Sequence, residues 1–269
     1  MTRRLFRTAG APTRILPLLM ASVLAILSTP AYPAVCNARS AATRATVIEF
    51  FTSEGCSSCP LADRWLSGFV GKLASPSPVI PLAFHVDYWD YIGWRDRFAS
   101  PKNTARQNER IGSNRSSFAY TPQTFVDGHD SSLWRQARFP GELPSSTVLA
   151  PGANLTLRVE TNSEGRIAVE LESKLLQPGD AGHAVAYIAL YENGLSSDVR
   201  AGENAGHQLH HDFVVREWAG PFPVGDKNIG HVFSRPDVVA ENAGIAAVVE
   251  LADGSRLLQA VSEPLCRCR

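Results

Sequence analysis

Two cysteines separated by two residues, Cys56 and Cys59, stand between an apolar run and a segment of helical period. The run Thr46-Val47-Ile48-Glu49-Phe50-Phe51 reads as a buried strand. Over residues 59–73, Leu61, Trp65, Leu66, Phe69, Val70 and Leu73 recur at helical spacing. A Cys-x-x-Cys at such a junction sets the first sulfur before unpaired backbone N–H groups and the positive end of a helix dipole. Both favour a thiolate and make it a nucleophile. Two intervening residues let the second sulfur reach back and close a small disulfide, and Pro60 suits the first helical turn. Three uses of the pair compete. In thiol–disulfide exchange, Cys56 attacks and Cys59 resolves; as a metal site, the soft thiolates suit copper or zinc; as a staple, the disulfide stays closed. A zinc finger is disfavoured, because no second C-x-x-C or H-x3-H lies nearby.

Other residues fit the exchange chemistry. Glu49 lies on the strand, seven residues before Cys56, where a buried acid can take the proton of Cys59. Tyr120-Thr121-Pro122-Gln123-Thr124 precedes a further strand, and a proline there donates nothing to a sheet ladder. A cis Thr121–Pro122 bond would turn the backbone polar groups of Thr121 toward the sulfurs. Thr121 and Pro122 are therefore candidates for aligning a partner chain. Tyr88, Trp89, Tyr91 and Trp94 sit with Asp87, Asp90 and Asp96 after a buried strand at 79–86. Loops in that place tend to carry sites, so Tyr88, Trp89 and Trp94 are candidate substrate-binding residues. Glu203, His207, His210, His211 and Asp212 read as a loop plus strand rather than a metal site, and no residue is assigned as a metal ligand.

These residues need elements to hold them. Strand and helix patterns alternate from about 45 to 150, which argues for a partly parallel sheet. After Pro151 the period becomes two: 154–160 and 167–172 alternate around a turn at 162–165 and form a hairpin. Further strands are expected at 184–191, 208–218, 228–233, 244–251 and 256–262, as in a β-sandwich. A Pro-, Gly- and Ser-rich linker spans roughly 140–152.

Composition removes whole classes. The chain has 269 residues, 44% hydrophobic and 19% charged, which excludes a disordered tail protein and a coiled coil. Lys plus Arg and Asp plus Glu both number 26, so no strong field invites nucleic acid. Arg3, Arg4, Arg7 and Arg14 precede an uncharged run from Ile15 to Leu27, too short to span a bilayer. Residues 1–34 read as a secretory signal peptide, by the Sec or twin-arginine route, with no stable membrane insertion after cleavage. Export to the periplasm or beyond sets the cysteines in an oxidising compartment. Three readings of the terminal cysteines stay open: Cys36 bridges Cys266 or Cys268 and ties the ends together, Cys266 and Cys268 form an auxiliary redox pair, or all three are incidental.

Strand, C-x-x-C, helix and a later Thr-Pro together resemble the thioredoxin fold. A closer resemblance is to a family of secreted bacterial proteins, the domain-of-unknown-function family 1223. It rests on residues 49–60, Ala62-Asp63-Arg64, residues 85–94, Tyr120-Thr121-Pro122-Gln123 with Val126-Asp127-Gly128, and residues 202–206. The resemblance implies an α/β thioredoxin-like domain, a mixed sheet with flanking helices, at 42–145 with an insertion at about 86–115. An all-β sandwich-like domain at 151–265 would follow. Against thioredoxins, Ser57-Ser58 replaces Gly-Pro, one extra residue separates the strand acid from the pair, and the stretch from Cys59 to Pro122 is long. The function read from the residues is an exported thiol–disulfide oxidoreductase with catalytic residues Cys56, Cys59, Glu49, Thr121 and Pro122. It needs no cofactor; its partners are a protein or small thiol/disulfide substrate and a recycling redox partner. The alternatives are a periplasmic copper-handling protein and a non-enzymatic binding module with a structural disulfide.

Overall fold

The structure, a computed structural model, describes residues 1–2, 34–71, 79–114, 118–143, 149–162, 164 and 166–265. The expected signal peptide falls, apart from its ends, outside the described residues, as do Cys266 and Cys268. The strands are β1 Ala34–Arg39, β2 Thr46–Thr52, β3 Val79–His85, β4 Gln123–Val126, β5 His129–Asp130, β6 Ala153–Thr161 and β7 Arg166–Leu175. They continue as β8 Ala184–Glu192, β9 Leu195–Asp198, β10 Gln208–His211, β11 Val214–Pro223, β12 Ile229–Ser234, β13 Ala243–Leu251 and β14 Leu257–Pro264. Helix α1 spans Cys59–Ser67 and α2 spans Pro101–Ser113.

The residue pattern explains the local elements. Along β6, Ala153, Leu155, Leu157 and Val159 point inward while their neighbours face out, the period of a strand with one wet face. Its turn into β7 is held by Asn162, whose Oδ1 accepts from the backbone N–H groups of Glu164 and Arg166 at 3.0 and 2.9 Å. Helix α2 starts where Ser100, in extended backbone, accepts from the Asn103 N–H and Pro101 opens the first turn.

The assembly corrects the expected fold class. The molecule is mostly β, with two α-helices among the described residues, and is not a thioredoxin-like α/β domain with flanking helices followed by a sandwich. One mixed sheet runs β14-β13-β8-β11-β3-β2-β4-β5, and a second, antiparallel sheet runs β1-β6-β7-β12. Strands β2 and β3 pair in parallel, with Thr52 beside His85 at their ends. The free edge of β3 is taken by β11, parallel to it, where the Ala83 N–H donates to the Phe213 carbonyl at 2.8 Å. Strands from the second half of the chain therefore extend the sheet of the first half.

The physical reason lies in β8 and β13. Ala186, Ile188 and Leu190 of β8 face one core with Ile245, Ala247 and Val249 of β13, packed on β6 and β7. Ala189 and Tyr191 of β8, with Ala246 and Val248 of β13, face the other core around β2, β3 and α1. An apolar residue on both faces demands cover on both faces. A strand at the margin of a separate sandwich would leave one of them wet.

Ile188 is wholly buried between the two sheets. Ile188→Ala is expected to lower stability by about 2–5 kcal/mol, the usual cost of truncating a core aliphatic. Urea unfolding checks this; a loss under about 0.5 kcal/mol, as for a surface change, would remove β8 from the centre of the fold.

Candidate functional site

The two cysteines are joined in a disulfide with 5.4 Å between their Cα atoms. Cys59 opens α1, and Cys56 lies in the loop that leaves β2. Both cysteines are buried, while Ser57 and Ser58 between them are exposed. The loop is fixed from within: the Cys56 N–H donates to the Ser53 carbonyl, and the Cys59 N–H to the Cys56 carbonyl, both at 3.2 Å. It is also clamped from a distant segment. Asn204 Nδ2 donates to the carbonyls of Glu54 and Cys56 at 2.8 and 3.0 Å, and the Glu203 carboxylate accepts from the Ser57 N–H at 3.0 Å. Gly202 lets that segment approach: its φ is +73°, and a Cβ there would meet Ile92 Cδ1 at 3.0 Å.

Beneath this loop lies a group of buried ionisable side chains. His211, at the end of β10, has Nε2 3.4 Å from Glu54 Oε1 and Nδ1 3.6 Å from Asp63 Oδ1. These are ion-pair separations without hydrogen-bond alignment, and neither ring nitrogen has a hydrogen-bond partner among the described residues. Burial opposes charge on His211, but the two flanking carboxylates outweigh it and push its pKa up to about 10. Burial also raises the Glu54 carboxyl, yet contacts from His211, Ser197 and Trp94 leave it below its ordinary value. His85 Nδ1 lies 2.6 Å from Asp96 Oδ2, and the His85 and His211 rings pack edge to face with centroids 4.8 Å apart. Asp96 Oδ2 accepts from the Glu54 N–H and Oδ1 from the Phe98 N–H, each at 2.9 Å. Burial raises the Asp96 carboxyl; His85 and these N–H groups bring it below its usual range. Asp63 belongs to α1 one turn beyond Cys59, and both are on its buried face.

Glu49 stands elsewhere. On β2, Thr52 faces Asp63 (Oγ1 to Oδ2, 3.3 Å), so Glu49, of opposite parity, faces the other side of the sheet. There Arg106 Nε donates to Glu49 Oε1 at 2.8 Å and Arg110 binds Oε2. The same two arginines reach Glu250 at 3.0 and 2.6 Å. Burial drives the Glu49 carboxyl up, but both guanidinium groups outweigh this and hold it below its ordinary value. Both Glu49 oxygens are engaged, and α2 is tied to the sheet through them.

Of the remaining sequence candidates, Trp89 and Trp94 touch the cysteine loop, and Thr121 is joined to it through Trp89. The Thr121–Pro122 peptide bond is cis, and Trp89 Nε1 donates to Thr121 Oγ1 at 2.7 Å. Trp94 Nε1 donates to Glu54 Oε2 at 2.7 Å. Tyr88, Trp89 and Trp94 are half-buried rather than displayed, whereas Tyr91 is exposed. A Cβ on Gly55 would lie 2.9 Å from Trp89 Cβ, so the aromatic segment packs directly on the cysteine loop. Sequence reasoning gave no role to Glu54, Asp63 or Asn204, and named Asp96 only as a neighbour of the aromatic residues. Asp63 carried a signal, its four-residue spacing from Cys59; Asp96 and Asn204 arrive through long-range packing that no local pattern encodes. His211, read as part of a solvated loop and strand, is buried. Among the described residues, no group of three or more His, Cys, Asp or Glu is placed to hold a metal ion. Cys36 is disulfide-bonded.

A family model described as protein of unknown function (DUF1223) matches residues 47–250, the stretch that carries all of these side chains. The chain belongs to the DUF1223 family. No curated protein matches it. Two solved structures share its fold. Protein AGR_C_4864 from Agrobacterium tumefaciens is 20% identical, with a TM-score of 0.55 over 83% of this chain and 96% of that one. HBP35 of Porphyromonas gingivalis is 14% identical, with a TM-score of 0.59 over 86% of this chain and 78% of that one. At these identities the likeness concerns the fold alone.

Two expectations follow for this DUF1223 member. Glu49→Gln leaves two buried guanidinium groups short of a counter-charge and should cost about 3–5 kcal/mol in urea unfolding; a near-neutral effect would contradict the structural role. His211, with its folded value raised, adds stability that is complete below the ordinary imidazole value of 6.5 and is lost as pH climbs through about 10. Native melting temperature should therefore fall across that window more steeply than that of His211→Gln. Parallel curves would mean that His211 carries no proton in the folded state.

Proposed function

We propose that the chain is an exported thiol–disulfide oxidoreductase working through Cys56 and Cys59. The observation that carries this reading is the Cys56–Cys59 disulfide set at the start of α1, above a buried group of titratable side chains. Structural staples need no such company; perturbed ionisable groups beside a reactive bond are typical of sites that move protons. In the reduced protein, the Cys56 thiolate, in front of the α1 N-terminus, attacks a substrate disulfide and forms a mixed disulfide. The first half of the substrate leaves as a thiolate and takes a proton from solvent. Cys59 then loses its proton and attacks Cys56 Sγ; the second half leaves, and the observed disulfide re-forms. Two electrons pass from the dithiol to the substrate. A recycling partner running the reverse steps resets the pair.

The surrounding residues have roles in this scheme. Exposed Ser57 and Ser58 mark the side from which a substrate reaches the sulfurs. Thr121, held by Trp89, and Pro122 align the partner chain, while Tyr88, Trp89 and Trp94 form the rim. Glu49 has no part in proton transfer; it fixes α2. The arginine-rich leader at 1–34 supports export, and export supports a disulfide resting state.

A glutathione series read by alkylation and mass spectrometry tests this. A reversible Cys56–Cys59 transition between about −120 and −270 mV is expected, the range of exchange enzymes. Cys56→Ser should abolish turnover of a model peptide disulfide. A pair that stays oxidised below about −300 mV is a structural staple, and the proposal then fails.

A further inference from the structure

The charged group beneath the pair is the part of the molecule that local architecture explains least. Glu54, Asp63, Asp96, His85 and His211 are each at least nine-tenths buried, and Glu54 Oε1, His85 Nε2 and both nitrogens of His211 lack hydrogen-bond partners among the described residues. Burying charge without full pairing is costly. The contrast with Glu49, Arg106, Arg110 and Glu250 is direct: there every carboxylate oxygen has a guanidinium donor.

We propose that His211 and Asp63 together hold the proton that the Cys59 sulfur receives when the Cys56–Cys59 disulfide opens. The proposal rests on the exchange reading above and assigns its proton donor. Asp63 is the link by geometry: it shares the buried face of α1 with Cys59 one turn away, and its Oδ1 is 3.6 Å from His211 Nδ1. The chemistry balances. A substrate thiolate attacks Cys56 Sγ; a mixed disulfide forms, the Cys56–Cys59 bond breaks, and its electron pair goes to Cys59 Sγ. That sulfur belongs to a wholly buried residue, where a bare thiolate is strongly disfavoured. Asp63 passes a proton to the sulfur and takes one from the His211 imidazolium. A thiol and a neutral imidazole result. A second substrate thiolate then attacks the mixed disulfide, leaving as the oxidised substrate and freeing Cys56. Oxidation of the pair returns the proton along the same path.

The neighbours of His211 favour a stored proton. The loop after β2 supplies Glu54, α1 supplies Asp63, β3 supplies His85, and the segment after β3 supplies Asp96 and Trp94. Strand β2 adds the Thr52 hydroxyl on Asp63, and β9 adds Ser197 beside Glu54. Phe98 packs on His211, and the cations stacked on that ring, Arg97 and Arg216, bond the Ser196 carbonyl and Glu192. Three carboxylates thus surround two imidazoles, and the raised pKa of His211 agrees with that balance.

The test follows how fast the proton arrives. The whole protein is reduced by dithiothreitol, and opening of the Cys56–Cys59 bond is followed by alkylation and mass spectrometry. At equal thiolate concentration, native protein should open about 100-fold faster than His211→Gln, which keeps no stored proton for Cys59. Equal rates overturn the proposal. If His211→Gln does not fold, native protein decides instead: its rate per reductant thiolate must fall as pH climbs through about 10, where His211 loses its proton, and a flat profile overturns the relay. Chemical reduction needs no turnover. A native protein that shows the rate difference but exchanges no substrate disulfide refutes the oxidoreductase reading and spares the relay; active exchange with equal rates of reduction does the reverse.

Discussion

Strands β8 and β13 are apolar on both faces, and most of the structure follows from having to cover them. One face takes the sheet that contains β6 and β7; the other completes the core around β2, β3 and α1. Because both strands are shared, the sheet cannot end at the boundary between the two halves of the sequence. It continues through β11 onto β3, and the β2–β3 pair gains a neighbour on its open edge. The hairpin of β9 and β10 then falls beside α1, between β8 and β11 in sequence. In this way a histidine from the second half of the chain comes to rest under a disulfide from the first.

Strand β2 divides two kinds of buried charge. On the α2 side, Glu49, Arg106, Arg110 and Glu250 form a closed set in which each carboxylate meets both guanidinium groups. Such a set is rigid, and its value is positional: it fixes α2 against β2 and β13. On the α1 side the contacts of His211 are longer, and several buried polar atoms remain without hydrogen bonds among the described residues. A closed network resists any change of protonation, since a proton gained or lost breaks several bonds at once. An open one can change its proton content at lower cost. The two sets therefore suit different tasks, one mechanical and one chemical, within a few residues of the same strand.

The sequence was informative where structure is local. The hairpin of β6 and β7 follows from alternation and one asparagine turn, and the junction of β2 with α1 from the cysteine spacing and Pro60. The reach of Glu49 was misread because strand parity was not carried through: Thr52 points toward α1, so Glu49, three residues earlier, must point away. Parity alone sets Glu49 and Thr52 on opposite faces; which face meets α1 came from the contact of Thr52 with Asp63. The neighbours of His211 were not legible from the residues alone. His210 and His211 have nearly the same surroundings in sequence, yet one is exposed and the other buried, because the strand alternates and tertiary packing chooses the face. The fold class was missed for a related reason. Periodicity identifies a strand but not its partner, and the parallel contact of β11 with β3 joins residues far apart in the chain.

The burial of the disulfide restricts any chemistry it performs. Both cysteines are buried, and the exposed residues between them are Ser57 and Ser58, the side from which the exchange reading brings a partner's sulfur. In the exchange reading the attacked sulfur is that of Cys56, ahead of the helix. Attack there throws the electron pair onto the sulfur of Cys59, a wholly buried residue where a thiolate is disfavoured. A proton source inside the protein is then a requirement of the geometry rather than an embellishment. Asp63, on the same helical face as Cys59 and against His211, is the acid–base group best placed to meet it.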